Sequence, residues 1–246
     1  NDARPWPASA DGSGHSIILV KAGGDPEEAS SWASSTLIGG TPGAPDETQV
    51  EPEDPTLVTL VDVGHPGRYF KGTTKEPSGG TIAWTQIGFN DATADWLDGD
   101  SGYGYSNESD ETQWIRTTLN DMNGGYISAY ARLRFVLTAE QIASFTELRA
   151  EVHYDDGYVL YLNGTKVAGP VNLTGNPPPY TQPAGLASDY SADNVDLTGF
   201  LSLLVVGTNV LSIQFHNSAT SGSSDCLGSP VLWAVLEAEP GSGDDI

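Results

Sequence analysis

Two short acidic segments carry the residue pairs best suited to holding a cation. Asp98 and Asp100 stand in a D-x-D-x-G arrangement within DWLDGDSGYGY, and Asp155 and Asp156 are adjacent within YDDGY. Carboxylate oxygens are the ligands that Ca²⁺ prefers, and closely spaced carboxylates on a turn can share one ion. We therefore predict Ca²⁺ at one or both pairs, although the first segment lacks the bidentate Glu of an EF-hand loop.

A structural role is the alternative for the second pair. Asp155 can close an Asx-turn, and Asp156 can accept backbone N–H groups at the entry to a strand. In addition, 33 Asp and Glu residues make close carboxylate pairs common by chance. Both alternatives stay open on the sequence alone.

Basic residues are rare and clustered. Four of the ten lie in one stretch: Arg116, Arg132, Arg134 and Arg149. We expect the last three on outward faces of strands, near Tyr130 and His153. If those strands are neighbours, they form a basic island suited to an acidic or hydroxyl-rich glycan. The alternative is cross-strand ion pairing with Glu147 and Glu151.

Catalytic motifs are missing from the sequence. It contains no G-x-S-x-G, no H-E-x-x-H and no phosphate-cradling glycine loop. Cys226 has no cationic neighbour in sequence that would lower its pKa, which favours a buried or merely free thiol. His65, His153 and His216 stand at ordinary strand or turn positions. We expect no catalytic residues and a protein that is not an enzyme.

The charge excludes several partner classes. The formal net charge is -23, so the surface repels phosphate backbones and anionic lipid heads, and we expect neither nucleic acid nor membrane insertion. No apolar stretch approaches the ~18 residues of a membrane span. The single cysteine allows no intrachain disulfide. A start without Met and without a signal-peptide pattern suggests a piece excised from a larger protein.

The elements that must position these residues are predicted to be β-strands. From Thr56 onward, short apolar runs alternate with Gly, Asn, Asp and Pro, which is typical of an all-β sandwich or barrel. Alternation places three sets of side chains on inward faces: Leu148, Ala150, Val152 and Tyr154; Ala131, Leu133, Phe135 and Leu137; Leu211, Ile213 and Phe215. The opposite faces carry residues such as Arg132, Arg134, Ser212, Gln214 and His216.

Three local signals refine this picture. A short helix is predicted near Ala139 to Phe145, with Thr138 as cap and Gln141 completing a capping box. Asn163-Gly164 predicts a type I′ hairpin. The Pro-punctuated acidic segment 47–55 predicts a linker between a short N-terminal β segment, which holds a strand from His15 to Val20, and the main domain at 56–246.

The segment YDDGYVLYLNGTKVAG resembles the "DDG…YLNG" hairpin of galactose-binding-like jelly-roll domains in bacterial secreted and surface proteins. Three further segments agree in order: IGFNDATADW with GYGY, AYARLRFVL, and GTNVLSIQFHNSATSGSSD. The resemblance covers about residues 80 to 238 and implies a jelly-roll β-sandwich. It leaves the ligand open, because fold does not fix function.

Residues 1–46 resemble the C-terminal part of a lamin-tail-like domain, in DGSGHSIILV, SSWASS and GGTPGAPD. The opening half of that fold is missing, so either these strands pack onto the jelly roll or the chain was cut within a preceding domain. Trp6 and Trp32 are then expected to be packing groups, with exposed sugar platforms as the alternative.

These observations predict a non-catalytic carbohydrate-binding or glycan-adhesion module of a larger extracellular bacterial protein, secreted or at the cell surface. Polysaccharide and other domains of the parent chain are the expected partners. Arg132, Arg134, Tyr130, His153, Asp155, Asp156 and Asn163 are the candidate ligand-binding residues. The alternative is a structural or interaction spacer of a multidomain cell-surface protein, with no small ligand.

Overall fold

The computed structural model describes residues 14–19, 25–40, 57–185 and 190–236. The chain divides into two compact units, Asn1–Asp54 with Ala238–Ile246, and Pro55–Glu237. The predicted linker 47–55 and Trp6 lie outside the described residues. The predicted domain boundaries, and the lamin-tail-like character of the first segment, stay predictions.

The smaller unit contains an antiparallel pair of strands, β1 (His15–Leu19) and β2 (Trp32–Ile38). β1 confirms the predicted strand as far as Leu19, and Val20 is outside the described residues. Trp32 is half-buried, and its indole N–H donates to the Pro26 carbonyl at 3.0 Å. That hydrogen bond anchors Trp32 within this unit, and its predicted packing role stays a prediction.

The larger unit contains two sheets. Its strands are β3 (Leu57–Val61), β4 (Pro66–Lys71), β5 (Trp96–Asp100), β6 (Tyr103–Tyr105), β7 (Thr117–Thr118), β8 (Ser128–Leu137), β9 (Phe145–Asp155), β10 (Gly157–Leu162), β11 (Thr165–Val171), β12 (Ser191–Asp196), β13 (Gly207–His216) and β14 (Cys226–Leu236). The first sheet has the order β11-β10-β13-β8-β4-β5. The second has the order β12-β9-β14-β6-β7, with β3 also paired to β14. The unit is the all-β jelly-roll sandwich that the sequence predicts.

Helices are short and connect strands. α1 spans Ser109–Thr112 and α2 spans Ala139–Ser144, and 3-10 turns occupy Ile82–Thr85, Asn120–Met122 and Thr198–Leu203. In α2 the Thr138 hydroxyl accepts from the Gln141 N–H while the Gln141 side chain accepts from the Thr138 N–H, so the predicted capping box is confirmed. Within the described residues no helix has the length and hydropathy needed to cross a membrane.

The main core lies between the two sheets. All three predicted inward-facing sets belong to it, which confirms the face assignments made from alternation on β8, β9 and β13. Asn163 and Gly164 have positive φ values of 49° and 90° at the turn between β10 and β11, as the hairpin prediction requires.

The outer face of the first sheet is also buried, which the sequence did not predict. Trp84 from a 3-10 turn packs edge-on against Tyr130 and Tyr161, with ring centroids 5.2 and 5.7 Å apart. A second apolar cluster forms around these rings. The polar residues Ser212, Gln214 and His216, predicted to face outward, are therefore fully buried.

Candidate metal centre

The predicted basic island does not form. Arg132 is fully buried, and its Nε donates to Asp91 at 2.7 Å while its other N–H groups reach the carbonyl oxygens of Trp84 and Gln86. Arg134 also pairs with Asp91 at 2.7 Å and is 36% exposed. Burial alone would raise the pKa of Asp91, but the hydrogen bonds and charges of the two arginines lower it. The expected exposure of Arg132 is wrong.

Arg149 lies in the other sheet. Its Nε donates to Glu147 on the same strand at 2.8 Å, so this pair lies within β9 and is not the cross-strand pairing offered as the alternative. Arg132 and Arg134 use Asp91 instead of Glu147 or Glu151. Arg149 thus does not share a surface with Arg132 and Arg134, because sequence proximity does not make β8 and β9 neighbours.

Two further candidate ligand-binding residues are engaged inside the protein. Tyr130 is 1% exposed and lies between Phe70 and Trp84. The Asn163 amide donates to the Leu203 carbonyl at 2.8 Å, and its oxygen accepts from the Val210 N–H at 2.8 Å. These contacts give both side chains structural roles, so the predicted binding surface is not assembled from them.

Asp98 and Asp100 do not form a loop that wraps an ion. Both lie on β5, an extended strand at the sheet edge, and both are exposed. Asp98 pairs with Arg68 at 3.0 Å. The loop expected for this spacing is wrong, because pairing with β4 extends the segment.

Asp155 lies in an acidic cluster with Glu111 and Asp225, in which one carboxylate oxygen of each residue lies within 4.8 Å of those of the other two. Asp155 ends β9, Glu111 lies in α1, and Asp225 immediately precedes β14. The antiparallel register of β9 and β14 places Leu227 opposite Asp155 and so brings Asp225 to the same end of the sheet. Glu111 and Asp225 were not predicted, and no spacing in the sequence links them to Asp155.

The Asp155 carboxylate lacks hydrogen-bond donors. It is 1% exposed, and within the described part of the chain neither of its oxygens accepts a bond from an N–H or hydroxyl group. The same holds for Oε2 of Glu111, which is 2% exposed. Burial, followed by the nearby Asp156, Glu111 and Asp225, raises the pKa of Asp155 to about 10. Burial is also the largest cause of the raised pKa of Glu111.

Asp156 has a different environment. Its Oδ2 accepts the Ser218 N–H at 2.5 Å, its own N–H donates to the His216 carbonyl at 3.2 Å, and Asn172 donates to its carbonyl at 2.7 Å. Asp156 therefore has the structural role that the sequence offered as an alternative. The matching alternative for Asp155, an Asx-turn, is wrong because its carboxylate accepts no backbone N–H.

An aromatic stack lies beside the cluster. Trp114, two residues beyond α1, stacks on His153 with ring centroids 3.5 Å apart, and His153 Nδ1 lies 2.8 Å from the Tyr190 hydroxyl. Burial lowers the pKa of His153, against the opposing effect of Glu151. His153 is 2% exposed, so it serves to dock the α1 segment onto β9 and does not face solvent as a ligand-binding group.

The metal-ligand atoms that the cluster offers suit a hard cation. Three carboxylates offer only oxygen, whereas His65, His153 and His216 each contact a different partner elsewhere: the Arg134 carbonyl, Tyr190 and the Gln182 carbonyl. Ca²⁺ takes ~6–8 oxygens in flexible geometry and accepts several carboxylates at once. Glu111, Asp155 and Asp225 would hold it, and its charge would balance carboxylates that otherwise repel one another.

No family model matches this chain, and no curated protein matches it. Similar solved structures include a calcium-binding mutant of Bacteroides uniformis beta-glucuronidase 2 (14% identity, 74% of this chain, 18% of that chain, TM-score 0.41). A second is a Bifidobacterium dentium beta-glucuronidase complexed with coumarin-3-O-glucuronide, which is 13% identical. The match covers 76% of this chain and 31% of that chain, with a TM-score of 0.43. This chain spans less than a third of each. These values are too low to transfer an activity, a metal or a ligand.

Proposed function

We propose that this chain is a non-catalytic, calcium-stabilised glycan-binding module of the galactose-binding-like kind, from a larger extracellular bacterial protein. The observation that carries the proposal is the buried carboxylate of Asp155, which accepts no hydrogen bond from the described residues, beside Glu111 and Asp225. The resemblance of Tyr154 to Gly169 to the "DDG…YLNG" hairpin supports the glycan part.

Calcium bound at this cluster links three segments that are far apart in the chain. Glu111 comes from α1, Asp155 from the end of β9, and Asp225 from the loop before β14. That loop is already ordered by the Ser223 hydroxyl, which donates to the Asp225 carbonyl at 3.0 Å. Because the unfolded chain does not bring the three carboxylates together, calcium binds the folded state and stabilises it by mass action.

The charge of the chain fits an extracellular setting. A net charge of -23 disfavours nucleic acid and anionic lipid as partners, which leaves neutral, hydroxyl-rich ligands and cations. Extracellular calcium modules work with dissociation constants of ~10⁻⁴–10⁻³ M. We place the protein outside the cell or at its surface, next to other domains of its parent chain.

Calcium binding is tested by melting temperature at fixed ionic strength. Ca²⁺ at 100 times its dissociation constant should add ~2.7 kcal/mol to the free energy of unfolding, and a chelator should reverse the effect. Asp155→Asn should abolish the calcium response. It should not destabilise the calcium-free protein, because the pKa of about 10 keeps Asp155 protonated at neutral pH and Asn replaces a neutral side chain of similar shape.

The matched control is the double change Asp98→Asn/Asp100→Asn, which removes two exposed carboxylates on β5 and should leave the calcium response unchanged. An equal rise with Mg²⁺ or NaCl at the same ionic strength would show general screening and contradict a specific site. A glycan array with and without Ca²⁺ tests the ligand. Calcium binding without any glycan binding would favour the alternative function, a spacer module.

A further inference from the structure

A groove lies on the outer face of the second sheet. It has a volume of about 270 Å³ and is lined by Arg149, Ala150, Asn194, Val195, Asp196 and Trp233. Arg149 of β9 stands opposite Asp196 of β12 on one side and Trp233 of β14 on the other. One ring and two polar side chains thus form a row across three adjacent strands.

The groove offers hydrogen-bonding groups that the described residues leave without a partner. Asn194 is exposed, and within the described part of the chain its side-chain amide has no hydrogen-bond partner. Trp233 is half-buried, and its indole N–H likewise makes no hydrogen bond to the described residues. Asp196 is exposed; its Oδ1 accepts the Thr198 N–H at 2.9 Å, and the Thr198 side chain also bonds its carboxylate.

These groups match the chemistry of a sugar ring. A half-exposed indole offers a flat apolar surface with an N–H at its edge, and an amide next to a carboxylate can donate to and accept from adjacent hydroxyls. The volume lies just below the ~300–1,000 Å³ of sites for drug-sized ligands, which suits a single small ring of a longer chain.

Local charge selects among glycans. Arg149 is the one cation lining the groove, and it is paired with Glu147. Asp196 lies on one side of it, and Glu151 is the next outward-facing residue along β9. One cation against three carboxylates leaves a negative surface, which repels a uronic acid and accepts a neutral sugar.

We propose that this groove binds one ring of a neutral glycan, stacked on Trp233 and hydrogen-bonded by Asn194, Asp196 and Arg149. The proposal rests on the proposed function and gives it a location and a ligand class. Asp155 lies six residues along β9 from Arg149, or ~20 Å at ~3.3 Å per residue, so calcium does not contact the ligand. Binding should therefore persist in chelator while the protein stays folded.

The test is affinity electrophoresis of the full chain in native gels containing xyloglucan, galactomannan, arabinoxylan or mixed-linkage β-glucan, with polygalacturonate as the acidic polymer. At least one neutral polymer should retard the protein, and polygalacturonate should not. Trp233→Ala should weaken that retardation at least tenfold, and Asn194→Ala several-fold. Trp32→Ala, a half-buried tryptophan of the other unit, and Asn120→Ala, an exposed asparagine, are the matched controls.

The outcomes separate the two proposals. Retardation that survives both Trp233→Ala and Asn194→Ala overturns the groove but leaves glycan binding intact. Retardation by polygalacturonate alone overturns the neutral ligand. Retardation by none of the polymers overturns glycan binding and the groove together. If Trp233→Ala lowers the melting temperature strongly, the double variant Asn194→Ala/Asp196→Ala replaces it, because both positions are exposed. Unchanged retardation of that double variant overturns the groove.

Discussion

Asp155 and Asp156 are neighbours in the chain, yet their carboxylates have opposite environments. Asp156 accepts a backbone N–H from Ser218, whereas Asp155 is surrounded by other carboxylates and lacks any described donor. The first is satisfied by the protein and has a structural role. The second is stable only when a cation balances its charge or a proton neutralises it.

His216 shows a third kind of buried polar residue. Its Nδ1 lies 2.6 Å from the Gln182 carbonyl, and its Nε2 lies 2.8 Å from the Gln214 amide nitrogen. A neutral ring with the proton on Nδ1 satisfies both contacts, whereas protonation of Nε2 would set two donors against each other. Burial lowers the pKa of His216 to about 4.

This shift predicts a loss of stability in mild acid. The unfolded chain takes up the proton near pH ~6.5, while the folded protein does so only near 4, so stability is full above ~6.5 and declines as the pH falls. The loss should reach about 2 kcal/mol at pH ~5. Urea unfolding of the parent and of His216→Gln between pH 7.5 and 5 measures it. Equal pH slopes for the two proteins would refute the assignment.

At the scale of elements, a cover over the first sheet is tied down by one buried arginine. Arg132 on β8 donates to Asp91 and to the carbonyl oxygens of Trp84 and Gln86, all in the segment that buries the outer face of the sheet. Trp84 in the same segment packs against Tyr130 and Tyr161. Polar and apolar contacts thus hold the same segment in place.

Replacing Arg132 should loosen this cover. Arg132→Met leaves buried carbonyl groups without a donor and weakens compensation of Asp91, and should cost about 3 kcal/mol or more. Arg134→Gln, two residues along the same strand and 36% exposed, should cost about 1 kcal/mol or less. Urea unfolding gives both values. Limited proteolysis should cut residues 73–95 faster in Arg132→Met than in Arg134→Gln. Equal rates of cutting in the two variants would contradict the role of Arg132 in holding this segment.

At the scale of the whole molecule, net charge sets the response to salt. A charge of -23 stores repulsion in the folded state that ions screen. The Debye length falls to ~8 Å at ~0.15 M salt, so most of the screening is complete at that concentration.

We therefore expect NaCl, added to the chelated protein, to raise the melting temperature mainly below ~0.15 M. The parent and Asp155→Asn should respond alike, because diffuse screening does not depend on one carboxylate. Scanning calorimetry at increasing NaCl measures the rise. A salt response confined to the parent would place the repulsion in the acidic cluster and not over the surface.

Local features of the fold were predictable from the sequence. Period-two alternation identified the inward faces of β8, β9 and β13, Asn163-Gly164 identified the hairpin, and Thr138 with Gln141 identified the start of α2. Each of these features depends on residues close together in the chain. Backbone preference and hydrophobic period act at that range, so a single sequence contains them.

The acidic cluster and the burial of Arg132 were decided by tertiary structure alone. Glu111 and Asp225 meet Asp155 only because β14 pairs with β9 in one register and α1 docks beside them. Arg132 stands on the outward face that alternation predicts, but a separate segment covers that face. Alternation predicts which side of a sheet a residue occupies, whereas the exposure of that residue depends on which distant segments pack there. Such long-range contacts leave no periodic signal in the sequence, so exposure could not be predicted from it.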